Sequence, residues 1–252
     1  MLRADTPAWE VLPLELGRRD ARQSWFYFLS ESGERIEIAY WAWLLRSGSS
    51  LVLVDTGPPP DEGARRGLRN VKSIEIALRE HGIDAHAIDT VILTHLHWDH
   101  AAGCDRLPGA RFVIQRAERD FFSGPAHQHP STGRFFAHRE KLQALLDSGR
   151  CDLVDGDAVI RPGIGLVRVG GHTPGSQMIV LHTLQGTAVI TGDLVPFARN
   201  YQEGVPNGIL VNLLDSLAGL RRLRELEPAL VYPGHDLVPC VQGRTGSQER
   251  PA

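Results

Sequence analysis

Residues Ile88–Gly103 read IDTVILTHLHWDHAAG. The first half carries a short aliphatic run that predicts a strand over Thr90–Leu93. The second half sets His95, His97, Asp99 and His100 within six residues. A strand ending in a tight turn throws those side chains together at one sheet edge. Imidazole and carboxylate are ligands that borderline divalent cations such as Zn²⁺ accept. A lone histidine is more often a packed or solvated residue than a ligand, but HxHxDH spacing is hard to reach by accident. The reading is a metal centre.

Three further segments repeat the design, each an apolar run followed by glycine and a ligand-type residue. They are VRVGGHTPG with His172, AVITGDLVP with Asp193, and ALVYPGHD with His235. Glycine permits a backbone turn that a β-branched residue resists, and Pro174, Pro196 and Pro233 stiffen the loops. Five histidines and two aspartates are too many for one tetrahedral ion and suit two.

Outward from these motifs, the chain has 252 residues, with 27 Lys+Arg against 30 Asp+Glu for a net charge of −3. That balance leaves no electrostatic footprint for nucleic acid or an anionic membrane. The cysteines Cys104, Cys151 and Cys240 form no CxxC pair, which argues against a disulfide framework and fits a reducing compartment. Acids and prolines interrupt the N-terminal stretch MLRADTPAWEVLPLELGRR, so no secretory signal is expected there. The apolar stretch Ala39–Leu45 is far short of the roughly 20 residues a membrane helix needs. A cytoplasmic protein is expected. Eleven histidines is the one unusual count, and the motifs absorb His95, His97, His100, His172 and His235.

Strands are predicted at Val11–Leu16, Ile36–Leu45, Leu51–Val54, Thr90–Leu93, Arg111–Gln115, Gly165–Val169, Gln177–His182, Ala188–Thr191 and Leu230–Tyr232. Helical periodicity marks Ser73–Glu80, Phe135–Leu146 and Leu213–Leu226. In the last, Leu213, Leu214, Leu217, Leu220, Leu223 and Leu226 form an apolar stripe opposite Arg221, Arg222 and Arg224, and Asn212 is the expected N-cap. Phe121–Arg134 is the most loop-like interior stretch, with His127 and His129 read as solvated and its flanking phenylalanines as core. Strands mixed with helices in both halves suggest two sheets face to face with helices outside. No linker divides the chain, so residues 1–252 are read as a single domain.

The set HxHxDH, His172, Asp193 and His235 resembles the metallo-β-lactamase superfamily of metallohydrolases, and LVLVDTG at Leu51–Gly57 matches as well. The resemblance implies an α/β fold, the four-layer αββα sandwich, with the site at the sheet edges between its halves. It implies one metal on His95, His97 and His172 and a second on Asp99, His100 and His235, with Asp193 bridging both. Asp55 would be structural. Two divalent ions, Zn²⁺ or else Mn²⁺, Fe²⁺ or Co²⁺, would deliver a bridging hydroxide to a carbonyl, with Asp99 also moving a proton to the leaving group.

Within the superfamily the chain looks most like the N-acyl homoserine lactonases. Only 17 residues follow His235, so the helical extension of glyoxalase II is not expected. The substrate implied is a small-molecule lactone or ester. Other ester types on the same site, or an iron-dependent redox member, are the alternatives, and a homodimer is compatible. One departure stands out: those lactonases commonly carry a tyrosine three residues after the bridging aspartate, where this chain has Pro196 followed by Phe197. Trp98, Phe197 and Tyr201 are the candidate substrate contacts.

Overall fold

Short apolar runs dominate the strands, and a computed structural model shows how they assemble. It describes residues 6–243, without the side chains of Ala126 and His127. The described residues form two compact units, each holding most of one six-stranded sheet.

One unit comprises Val11–Arg19 and Ala39–Asp155. Its sheet has the order β1 (Glu10–Arg22), β2 (Arg35–Ser47), β3 (Ser50–Val54), β4 (Thr90–Ile92), β5 (Arg111–Gln115) and β6 (Cys151–Val154). β2 and β3 are antiparallel, whereas β3 to β6 run parallel. Parallel strands need crossovers, and these are made by α1 (Pro60–Arg65), α2 (Ile74–Glu80), α3 (Trp98–Ala101), α4 (Arg116–Ser123), α5 (Pro130–Gly133) and α6 (Arg139–Asp147). The inner strand β2 is buried along Ile38–Leu45 without alternation, the mark of a strand covered on both faces.

The other unit comprises Met1–Glu10, Asp20–Ile38 and Gly156–Ala252, so far as these are described. Its sheet has the order β12-β11-β10-β9-β8-β7, from β7 (Ala158–Arg161), β8 (Ile164–Arg168), β9 (Gln177–Thr183), β10 (Gly186–Ile190), β11 (Leu230–Tyr232) and β12 (Val241–Gln242). β10 and β11 are parallel, joined through α7 (Ala198–Glu203) and α8 (Leu213–Glu225). The core here is built by Val169, Met178, Val189, Leu194, Tyr201, Leu220 and Leu223. No helix among the described residues is long and apolar enough to cross a membrane.

The predicted strands are all present, and Arg111–Gln115 and Leu230–Tyr232 match to the residue. Three strands go unanticipated: β6, β7 and β12. All lie at a sheet edge and span four residues or fewer, and β6 and β12 carry a polar residue at the exposed position, so the apolar pattern is too brief to show. The stretch Phe121–Arg134 is less loop-like than expected, since α4 runs to Ser123 and α5 follows. The buried face of α4 pairs Phe122 with a carboxylate, Glu118, so its amphipathic pattern is hidden. His129 caps α5 by accepting the Ser131 N–H, and the His127 side chain lies outside the described residues.

Helix α8 departs from its leucine stripe. Leu214 and Leu217 are 75% and 44% exposed, and Ser216, Gly219, Leu220 and Leu223 form the buried face. Small residues are needed there because the Gly171 loop sits almost on Ser216; a Cβ at Gly171 would lie 2.3 Å from its hydroxyl oxygen. The expected cap is present: Asn212 Oδ1 accepts the Asp215 N–H at 3.2 Å.

Cys104 is buried just beyond the HxHxDH segment, and burial, aided by Asp105, pushes its thiol up to about 12. The thiolate is the reactive form. In the folded protein at pH 8, Cys104 is therefore expected to resist a thiol reagent that labels it fully in denaturant; fast native labelling would contradict its burial.

Candidate metal centre

The HxHxDH loop leaves β4 and closes into α3 under tight backbone control. The Thr56 and Gly57 N–H groups both bond the His100 carbonyl, and the Gly103 N–H bonds the Gly57 carbonyl. The rings of His95 and His97 lie 4.6 Å apart and those of His95 and His100 4.1 Å apart, all three buried. Such crowding of imidazoles is costly unless something between them accepts their lone pairs.

Asp55 sets the tautomers. Its carboxylate accepts the Thr94 N–H on Oδ1 at 2.8 Å and the His100 Nδ1–H on Oδ2 at 2.8 Å. The Thr94 hydroxyl also gives its single proton to Asp55, at 2.8 Å, so its lone pair is left for His95 Nδ1–H at 3.1 Å. Both rings thus carry their proton on Nδ1 and present Nε2 as the donor atom to a metal. Asp55 itself has φ +60, a left-handed conformation that aspartate tolerates better than most residues.

Two supports were not anticipated from the sequence. Buried Glu118 accepts the N–H of Leu96, the residue between His95 and His97, at 2.9 Å. Phe135 stacks on the His97 ring at 4.9 Å and Phe136 meets it edge-on at 5.3 Å, so two of the four flanking phenylalanines sleeve a ligand-type side chain. Asp99 is less enclosed, with its side chain 13% exposed and Oδ2 3.9 Å from His100 Nε2. Trp98 is only 2% exposed; it lies against Tyr40 at 5.6 Å and beneath the Arg66 guanidinium at 4.5 Å, a packing position.

The second unit brings together its own three residues. His172 Nε2 lies 3.3 Å from Asp193 Oδ2, and His235 Nε2 lies 3.1 Å from Asp193 Oδ1. One carboxylate therefore offers a separate oxygen to each histidine. His172 donates Nδ1–H to the Ile209 carbonyl at 2.6 Å. In the neutral ring, Nε2 is then a lone pair facing a carboxylate oxygen, two acceptors that a metal cation, or a second proton on the ring, reconciles. These donors fit a divalent metal on chemical grounds. The turn geometry is demanding: Gly171 has φ +80, and a Cβ at Gly234 would lie 2.9 Å from Asp193 Oδ1.

Gly171→Ala is expected to lower the melting temperature, at a cost of about 1–3 kcal/mol from the left-handed backbone alone, with the Ser216 collision added. A thermal melt matching the parent protein would show that the loop has room to move.

Of the candidate substrate contacts, Tyr201 is 2% exposed within the core cluster of its unit. Phe197 is the N-cap of α7 and stacks on Tyr27 at 5.9 Å, with Phe26 edge-on at 5.3 Å. Phe26 in turn lies 5.8 Å from the His235 ring. Burial pushes the Tyr27 hydroxyl up to about 12, so it is a protonated donor at neutral pH.

Comparison with known proteins adds the following. N-acyl homoserine lactonase from Bacillus sp is 27% identical over 223 residues, 81% of this chain and 84% of the relative. N-acyl homoserine lactonase AttM from Azorhizobium caulinodans is 28% identical over 167 residues, 62% of this chain and 60% of the relative. Among solved structures, a quorum-quenching N-acyl homoserine lactone lactonase superposes with TM-score 0.77 at 24% identity, covering 92% of this chain and 93% of that one. A dizinc quorum-quenching lactonase in complex with a product superposes with TM-score 0.75 at 16% identity, covering 96% and 93%. These structural likenesses establish the α/β fold. The metallo-beta-lactamase superfamily model matches residues 37–235, a span that holds every ligand-type residue described above, and the chain belongs to that superfamily.

Proposed function

We propose that this chain is a metal-dependent hydrolase that opens a lactone or related carboxylic ester, with residues 1–252 acting as one catalytic domain. The observation that carries the reading is the Asp193 carboxylate, which turns one oxygen to His172 and the other to His235. A carboxylate so flanked suits a bridge between two cations. By the resemblance to the superfamily, His95, His97 and His172 would hold one ion, and Asp99, His100 and His235 the other, with zinc the first metal to test. When bound, such a pair supplies an acidified water and positive charge beside the carbonyl oxygen.

The chain's own groups do the rest. The Asp99 carboxylate takes up the proton released as water adds to the carbonyl and returns it to the leaving alkoxide oxygen, so ring opening ends with a neutral alcohol. Its partial exposure suits that exchange better than the enclosed position of Asp193. Phe26, Tyr27 and Phe197 form an apolar wall beside His235 that suits the acyl portion of the substrate. Similarity to N-acyl homoserine lactonases makes acyl-homoserine lactones the first substrates to try. Free thiols are compatible with a cytoplasmic setting.

Metal analysis and a panel of acyl-homoserine lactones, other lactones and aryl esters test the proposal. Two zinc-like ions per chain with ring opening above buffer are expected. No turnover across the panel would overturn it, and a single iron with oxygen consumption would move the chain to redox chemistry.

A further inference from the structure

The segment Val205–Asn212 joins α7 to α8 and carries the carbonyl that orients His172. Buried within it, at 2% exposure, is Asn207. Its Nδ2 donates to the backbone carbonyl of Asp193 at 2.9 Å, and its Oδ1 accepts the Ile209 N–H at 3.0 Å. Ile209 then accepts His172 Nδ1–H on its carbonyl at 2.6 Å. One planar amide thus links the main chain of one ligand-type residue to the ring of another. We propose that Asn207 is a positioning residue that fixes His172 and Asp193 relative to each other for metal binding. This rests on the reading of those two side chains as ligands.

The residue type follows from the geometry. The position needs a donor toward Asp193 and an acceptor toward Ile209 on one short side chain, which a primary amide supplies. Aspartate keeps the acceptor, loses the donor and turns an anionic oxygen toward the Asp193 carbonyl. Alanine loses both. The segment is fastened elsewhere too: the Val211 and Asn212 N–H groups bond the Gly171 carbonyl, and the Phe28 N–H bonds the Pro206 carbonyl. Losing the Asn207 bonds therefore frees the middle of a strap whose ends stay tied. The His172 ring then loses the fixed direction of its Nδ1 bond while the fold persists. Groups one layer behind a metal ligand change metal affinity by about 10–100-fold when altered.

The test uses the full chain with Asn207→Asp and Asn207→Ala. Three quantities are read: the melting temperature of the metal-free protein, zinc affinity by chelator competition, and the visible spectrum of the cobalt-loaded protein, whose bands report ligand geometry. Zinc affinity about 10–100-fold weaker, with a shifted cobalt spectrum in both variants, is the expected result. Unchanged affinity and an unchanged spectrum would overturn the role, even where the metal-free melting temperature falls, because Asn207 would then be structural only. Should neither variant fold, the parent protein decides: its Asn207 side-chain amide resonances are expected to shift on zinc addition, and their constancy would overturn the proposal. A parent protein that binds two zinc ions while the variants match it refutes this role alone. A parent that binds none removes the metal reading beneath it.

Discussion

Asp193→Asn is expected to cut turnover by about 10³-fold and to lower the metal content below two ions per chain. The change keeps the shape of the side chain and removes one of its two anionic oxygens. His172 Nε2 and His235 Nε2 each face one of those oxygens, at 3.3 and 3.1 Å. An amide has one acceptor oxygen for two positions, and its NH₂ repels a cation at the other. A metal contributes several kcal/mol of charge stabilisation in the transition state, and at about 1.36 kcal/mol per decade that corresponds to roughly three decades in rate. The metal-free variant should melt no lower than the parent, since a charge held in a buried site has been neutralised. Activity together with metal analysis checks the outcome; a variant with two ions and parental turnover would remove Asp193 from the bridging position.

The second large effect is expected at Asp55, which touches no metal in the proposed arrangement. In Asp55→Asn, the amide oxygen keeps the Thr94 N–H, but an NH₂ replaces the oxygen that accepts His100 Nδ1–H at 2.8 Å. Two donors then meet. The His100 ring relieves this by moving its proton to Nε2, which withdraws the lone pair a metal needs. Metal affinity is expected to fall by about 10–100-fold. Asparagine also accepts the left-handed backbone at φ +60, so the turn itself is preserved and the loss is chemical. Alanine would mix that loss with strain. Chelator competition for zinc, with circular dichroism to confirm the fold, measures the effect; unaltered affinity would mean that His100 does not depend on Asp55 for its tautomer.

The residues proposed to supply nitrogen and oxygen are legible in the sequence because each follows an apolar run and a turn, and side-chain type alone names their chemistry. What holds them is less legible. Glu118, Asn207 and the Ile209 carbonyl act across 22, 14 and 37 positions of chain. A backbone carbonyl has no sequence signature at all. The phenylalanines around His97 read correctly as packing, but what they pack against becomes visible only in the folded loop. Helix α8 misleads for a related reason: leucine spacing predicts its existence and limits, whereas its buried face is chosen by close neighbours, the Gly171 loop over Ser216 and the Leu194 and Val169 side chains over Gly219. The edge strand β7 fails because its run, AVIR, is only four residues long, too short to show a period.

The buried, protonated Cys104 thiol has a further meaning. It lies within four residues of His100, yet the proposed ligands are all nitrogen and oxygen. Peroxide and other oxidants that destroy thiolate-held zinc have no sulfur to attack in such a set. The exposure would then be to acid, where protons compete with the ion for imidazole nitrogen. A zinc centre with the proposed ligands would therefore be expected to tolerate oxidants better than a cysteine-ligated one and to be the more sensitive to acid.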